Sequence, residues 1–360
     1  MPGNGLNEWF LQVVQHLLPK MKGNLARSLL VLGAIYFSGC TENNISVTPS
    51  VYVGGAETNS QSLWGATYWK NGISTSLTDG TQSSFVWSIC VSGNDVYCVG
   101  NEQPITNGAT SIAKVWKNGV STALTDGSRN AAAHYVDVVN GDVYVAGQES
   151  NGTYSVIKYW KNGKATTISD GKSEAVVTGI AVDGNDIYLS GYLSALTIKP
   201  VYWKNGIIDT LSSGTTDCVT TSMTIYNHEV YISGNEYSGG ISTAKYWKNG
   251  TAVNLSDGKL SEETQSIFIS NGDVYVCGAL STSNSVSAKY WKNGTSIFLT
   301  NGSNPVFAAA NSIFVKGNDV YVTGVQQESK YSIAICWKNG MAIQLTPNNS
   351  AAFGNSIIVQ

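Results

Sequence analysis

Four carboxylates hold equivalent places in a repeating sequence. Glu57, Glu102, Glu149 and Glu236 each follow an apolar-Tyr-apolar-x-Gly segment, just beyond what reads as a strand; Leu193, Leu280 and Gln326 fill that place in the other repeats. Two carboxylates facing each other across a glycosidic bond act as acid and as base or nucleophile, so glutamates on adjacent repeats are candidates for carbohydrate chemistry. A partial ring of four can equally bind a cation, basic groups or sugar hydroxyls. Against both stands the plainer reading that each glutamate accepts hydrogen bonds from its own loop. A second set of equivalent positions precedes the first strand of each repeat: Trp87, His134, Thr178, Thr221, Gln265, Asn311 and Asn355. Nearby loops carry Trp64, Phe85, Tyr135, Tyr154, Tyr192, Tyr237, Phe307 and Tyr331. Aromatic rings and amide side chains around one concavity suit a glycan or a peptide.

Little else in the chain does chemistry. Charged residues make up only 12% of it, and the net charge is -3, so no basic field exists to hold nucleic acid. Beyond the leader the histidines are His134 and His228, and His228, in the turn Asn227-His228-Glu229, is expected in solvent. The sequence has no nucleophile elbow, phosphate loop or metal-ligand cluster, and neither cofactor nor metal is expected. Recurrent aspartates in Gly-Asn-Asp-type segments (Asp95, Asp142, Asp186, Asp273, Asp319) and before glycine (Asp79, Asp126, Asp170, Asp257) fit turn chemistry. One carboxylate per repeat falls short of the roughly six to eight oxygens that calcium takes. Cys90, Cys98, Cys218, Cys277 and Cys336 lack metal-type spacing. Hairpin pairing sets Cys90 opposite Tyr97, which turns the Cys90 and Cys98 sulfurs to opposite faces. All five are expected as small buried hydrophobes. An enzyme is not expected.

The positions are spaced by one motif, Trp-Lys-Asn-Gly. It begins at Trp69, Trp116, Trp160, Trp203, Trp247, Trp291 and Trp337, at intervals of 43 to 47 residues. A fixed period of this size marks a stacked or closed repeat architecture. Within one period, Ile180 and Val182 alternate with small residues and a turn follows at Asp183-Gly184-Asn185-Asp186. Ile187-Tyr188-Leu189 forms a second strand ending at Gly191. A variable loop leads to Val201-Tyr202-Trp203, and Lys204-Asn205-Gly206 turns into a fourth strand, Ile207 to Leu211. Asn-Gly between apolar runs is a hairpin signal, because both residues tolerate positive φ.

Four strands per unit, without helical periodicity, predict an all-β protein: a seven-bladed β-propeller of four-stranded blades. The array begins on a second strand, Val51-Tyr52-Val53, and ends on a first strand, Ile357-Ile358-Val359. The C-terminal strand should therefore complete the N-terminal blade, removing open edges and fastening the ring. The seven tryptophans are expected to pack between blades, with a ring of sugar-stacking aromatics as the alternative. Turns between strands a and b, and c and d, are uniform; the b–c and d–a connections vary and lie on the opposite face. Recognition belongs on that variable face, with the second set of positions around the mouth of the central channel.

The pattern apolar-Tyr-apolar-x-Gly, a loop and Tyr-Trp resembles the kelch repeat, and Val51-Tyr52-Val53-Gly54-Gly55 carries its double glycine. The kelch Trp starts the fourth strand, whereas Trp69 and its equivalents precede the Asn-Gly turn, so the likeness is to kelch architecture. The chain more closely resembles bacterial, often lipid-anchored, proteins built from Tyr-Trp-Lys-Asn-Gly repeats. Residues 21–40, MKGNLARSLLVLGAIYFSGC, resemble a lipoprotein signal peptide. Lys22 and Arg27 form its basic start. Ser28 to Phe37 is a helical apolar stretch too short to span a bilayer comfortably. Phe37-Ser38-Gly39-Cys40 resembles the lipobox, with Phe37 where Leu is usual. The resemblance implies cleavage before Cys40 and its acylation, and several acyl chains at about 0.8 kcal/mol per methylene anchor stably. An uncleaved membrane helix is the alternative. Residues 1–20 are then an upstream extension, 41–50 a tether, and 51–360 the propeller. The expected protein is a monomer, anchored in the bacterial cell envelope through lipid on Cys40, at the outer membrane or cell surface. It binds an envelope protein or a glycan through its variable face. A carbohydrate-active enzyme (hydrolase or lyase) using the loop carboxylates, and a structural scaffold in an envelope complex, are the competing expectations.

Overall fold

Each Trp-Lys-Asn-Gly turn joins the two outer strands of a four-stranded antiparallel sheet. The computed structural model describes residues 48–106, 108–212, 216–300, 307–328, 330–347 and 349–360. The expected extension, the signal segment with Cys40, and residues 41–47 of the tether lie outside the described residues. Blades are named here by their tryptophans. In the Trp203 blade, strand a is Glu174–Asp183, b is Asp186–Ser194, c is Ile198–Lys204 and d is Ile207–Thr210. Six sheets use four strands consecutive in the chain. In the seventh, the Trp69 blade, strand a is the C-terminal Ala352–Val359, paired with Val51–Thr58 so that Val51 stands opposite Val359 and Val53 opposite Ile357. The ring of seven blades closes there, as the two chain ends require.

Local chemistry accounts for the turns. All seven Trp-Lys-Asn-Gly turns place Asn at φ 49 to 52° and Gly at 81 to 83°. These are the positive values of a type I′ turn, whose twist matches that of the strands it joins. The tryptophans are 1–2% exposed. Each sits in a cluster drawn from two adjacent blades. Trp203, for example, joins Val177 and Leu189 of its own blade to Tyr144 and Ile157 of the preceding one. Trp69, Ile357 and Val359 meet Tyr321 and Cys336 of the last blade at the closure. Burying one such ring removes roughly 150–250 Å² from water, worth up to about 4–6 kcal/mol. Cys90 does pair with Tyr97. Cys98, Cys218, Cys277 and Cys336 are buried free thiols, and burial pushes Cys218 and Cys336 up to about 12.

Three expectations need correction. Closure joins the ring but leaves edges: every strand d ends its sheet. Each is only four residues long and almost wholly exposed, a length that limits edge pairing. Strand b does not end at Gly191 but continues to Ser194. Finally, Trp87, His134, Thr178, Thr221, Gln265, Asn311 and Asn355 lie inside strand a, where each is the extra residue of a β-bulge.

The last two corrections have one cause. The bulge at Thr178 directs the Val176 carbonyl at Gly191 of strand b. A Cβ at Gly191 would overlap that oxygen and stand 3.1 Å from the Trp203 ring. The same carbonyl overlap holds at Gly55, Gly100, Gly147, Gly234, Gly278 and Gly324. The repeated glycine is thus the partner of the bulge, not the end of the strand.

Candidate binding face

The uniform face is stitched by the motif itself. In the Trp203 blade, Lys204 Nζ lies 2.8 Å from Asp186 and 5.1 Å from the centroid of the Tyr188 ring. Asn205 Nδ2 donates to Asp186 Oδ1 at 2.7 Å, and Asn205 Oδ1 accepts the Ile187 N–H at 2.9 Å. Hydrogen bonds from Lys204 and Asn205 hold the Asp186 carboxyl below its usual range. Lysine–acid pairs recur at Asp95, Asp142, Glu229, Asp273 and Asp319. These acids do more than form turns: they tie the a–b turn to the c–d turn. His228 is exposed, and it reaches the Asp183 carboxylate of the preceding blade at 2.7 Å.

On the opposite, variable face, the aspartates before glycine accept backbone N–H groups two residues on, as Asp170 does from Lys172 at 3.1 Å. Asn59 and Asn151, in b–c loops, donate to the carbonyls of Gly80 and Gly171 in d–a loops, both at 2.9 Å. In these two blades the b–c loop is therefore anchored to the d–a loop.

Glu57, Glu102, Glu149 and Glu236 lie within strand b, not beyond it. The position is set by the strand's passage through the bulge register. Glu102 lies 3.3 Å from Lys114 of strand c; Glu149 pairs with Lys158, and Glu236 with Lys245. Lys245 and the Thr216 hydroxyl lower the Glu236 carboxyl. Glu57 accepts the Ser350 hydroxyl at 2.7 Å. In the Trp291 blade the lysine is kept, as Lys289, but Leu280 replaces the glutamate. The acid moves to strand a as Glu262, opposite Leu280 in register and 2.7 Å from Lys289. In the Trp203 blade both places are apolar, Leu193 and Val201. The carboxylates are thus members of blade-internal pairs. Among the described residues no group of three or more His, Cys, Asp or Glu is placed to hold a metal.

Adjacent strands a pack against one another around the ring, and the bulge residues link them. Asn355 Nδ2 donates to the Val86 carbonyl at 2.8 Å and Asn311 Nδ2 to that of Gly354 at 2.9 Å, each in the next blade. Thr178 shares a 2.6 Å hydrogen bond with Thr220, and Thr221 one of 2.9 Å with Thr264. Gln265 is half-buried at the same place. At Trp87 the link is aromatic. Its indole N–H donates to Asn101 Oδ1 at 2.7 Å, and its ring lies 5.9 Å from His134.

Trp87 belongs to an arc of rings spanning three blades. Trp64, which opens strand c after a variable loop, lies 5.0 Å from Phe353 and 6.1 Å from Phe85. Phe85 stacks at 5.6 Å on Trp87, and His134 passes the chain of contacts to Tyr135 at 6.3 Å. These centroid separations fall in the range of favourable aromatic pairs. Desolvation drives the His134 imidazole down to about 4 and the Tyr135 hydroxyl up to about 12, so both are neutral around neutral pH. In the other blades the bulge positions are polar, as at Gln265 and Asn311; two residues before the bulge stand Val176, Val219, Ala309 and Glu263, the last with its carboxyl raised by burial. Of the other aromatics singled out, Tyr154 is exposed at a loop tip and Tyr331 carries Lys330 over its ring at 5.2 Å.

Phe353, Asn101 and the four strand-c lysines escape a reading by residue type. Phe353 aligns with Phe85, two places before the bulge, and that alignment is the signal that finds it. No protein-family model matches the chain, and no match emerges among curated proteins.

Proposed function

We propose that the protein is a binding module of the bacterial cell envelope, tethered through lipid on Cys40, that recognises a protein or glycan through its variable face. The observation that carries this reading is the arc Trp64–Phe353–Phe85–Trp87–His134–Tyr135, which faces polar side chains across the ring. Stacking rings beside amide and carboxyl groups suit a ligand with apolar faces and hydroxyl or amide edges, as a sugar or an extended peptide has. The β-propeller fold is consistent with a protein-binding role, and the lipobox-like segment supports the anchor. Strand-b carboxylates engaged by lysines at Glu102, Glu149 and Glu236, and by the Ser350 hydroxyl at Glu57, lend the hydrolase or lyase alternative no support. The test has two parts. Cys40→Ala should move the protein from the membrane fraction to the soluble fraction. Wild type and Trp64→Ala, used as baits in detergent-solubilised envelope, should recover different partners. Unchanged fractionation would remove the anchor, and identical partner lists would remove the arc.

A further inference from the structure

We propose that Asn140 and Asn271 are sites of spontaneous deamidation, and that the asparagines of the Trp-Lys-Asn-Gly turns are protected from it by the clamp on their side chains. Asn-Gly is chemically labile. The glycine nitrogen loses its proton and attacks the asparagine Cγ, the new C–N bond closes a five-membered succinimide, and ammonia leaves. Water then opens the ring to aspartate or isoaspartate. No electron is transferred, and water is the only co-reactant.

Nine described Asn-Gly pairs form the same turn, with Asn at φ 49 to 52° and Gly at 81 to 84°. All nine asparagines are exposed. Backbone geometry and access to water are therefore matched, and the side-chain amide is what differs. In the Trp203 blade, Asn205 Oδ1 accepts the Ile187 N–H and its Nδ2 donates to Asp186. Asn118, Asn162, Asn293 and Asn339 repeat both bonds. Fixed at both atoms, the amide cannot swing onto the glycine nitrogen without breaking two hydrogen bonds. Asn71 has only the first, from the Val51 N–H, because Ser50 stands where other blades have the acid, and Asn249 accepts the Val230 N–H at 2.8 Å with Glu229 in place of the aspartate. Asn140 and Asn271 occupy a–b turns instead, and among the described residues their amides make no hydrogen bond. Three classes follow in one molecule: free, half-clamped and fully clamped. In five of the seven turns the aspartate and the strand-b N–H together hold the amide.

The folded protein is incubated in mildly alkaline buffer and mapped by peptide mass spectrometry with isoaspartate detection, beside a sample in denaturant. Asn140 and Asn271 should convert at least tenfold faster than Asn205 and its fully clamped equivalents, with Asn71 between. In denaturant the differences should vanish. Asp186→Ala should accelerate Asn205 and leave Asn162 unchanged. Equal rates at all nine sites in the folded protein would overturn the proposal. So would intact Asn140 and Asn271 under conditions in which the denatured chain reacts, since the turn itself would then be the protection.

Discussion

Lys289 shows what a single side chain is worth in this ring. Its side chain is 3% exposed and its partner Glu262 is 17% exposed, so removing the ammonium strands a carboxylate away from water. Lys289→Ala should cost roughly 3–5 kcal/mol in chemical denaturation, the usual penalty for an uncompensated buried charge. The Trp203 blade shows the remedy, because Leu193 and Val201 occupy the two equivalent strand-b and strand-c places. Removing both charges, as Lys289→Val with Glu262→Leu, should recover most of that loss; a double variant as unstable as the single one would contradict the pairing. His134 gives the pH dependence. Its imidazole is near 6.5 when unfolded and about 4 in the arc, so the fold favours the neutral ring. Its contribution is complete above pH 6.5 and is lost as pH falls toward 4, by at most about 3 kcal/mol. Asp137 and Glu263, whose carboxyls are raised by burial, work in the opposite sense. The difference between wild type and His134→Gln isolates the histidine, and a constant difference from pH 7 to pH 4 would refute the shift.

At the scale of strands, the bulge in strand a and the glycine in strand b form one device. It re-aims a ring of side chains while placing a carbonyl where a Cβ would otherwise stand. The C-terminal strand carries this device for the Trp69 blade, with Asn355 as its bulge. Deleting Ser356 to Gln360 removes Ile357 and Val359 from the closing cluster. It should cost about 3–6 kcal/mol from lost burial alone and lower the melting temperature sharply; an unchanged melting curve would disprove closure by that strand. Strand count, turn type and closure were legible in the sequence, because Asn-Gly at a fixed period admits few alternatives. The bulge was not, because residues as different as Trp87, Thr178 and Asn355 occupy it: the backbone register defines it, not a side-chain type. The Glu–Lys pairs were legible only by comparing repeats, where Lys114, Lys158 and Lys245 accompany Glu102, Glu149 and Glu236. Read within one repeat, each glutamate looks free.

Over the whole molecule, uniform and variable elements separate by face. The Lys-Asn-Gly turns and their acids build a uniform side whose members differ little from blade to blade. The other side holds the aromatic arc in three blades, whereas the bulge positions of the remaining four are the polar Thr178, Thr221, Gln265 and Asn311, an asymmetry that a purely structural ring does not need. The proposed function places recognition on this asymmetric face. Its most direct test is ligand binding on a glycan and envelope-protein array by wild type, Trp87→Ala and Lys204→Ala, each verified as folded. Trp87→Ala should weaken binding at least tenfold, while Lys204→Ala on the uniform face should bind as wild type does. Full binding by Trp87→Ala, or an equal loss in Lys204→Ala, would rule out recognition by this face.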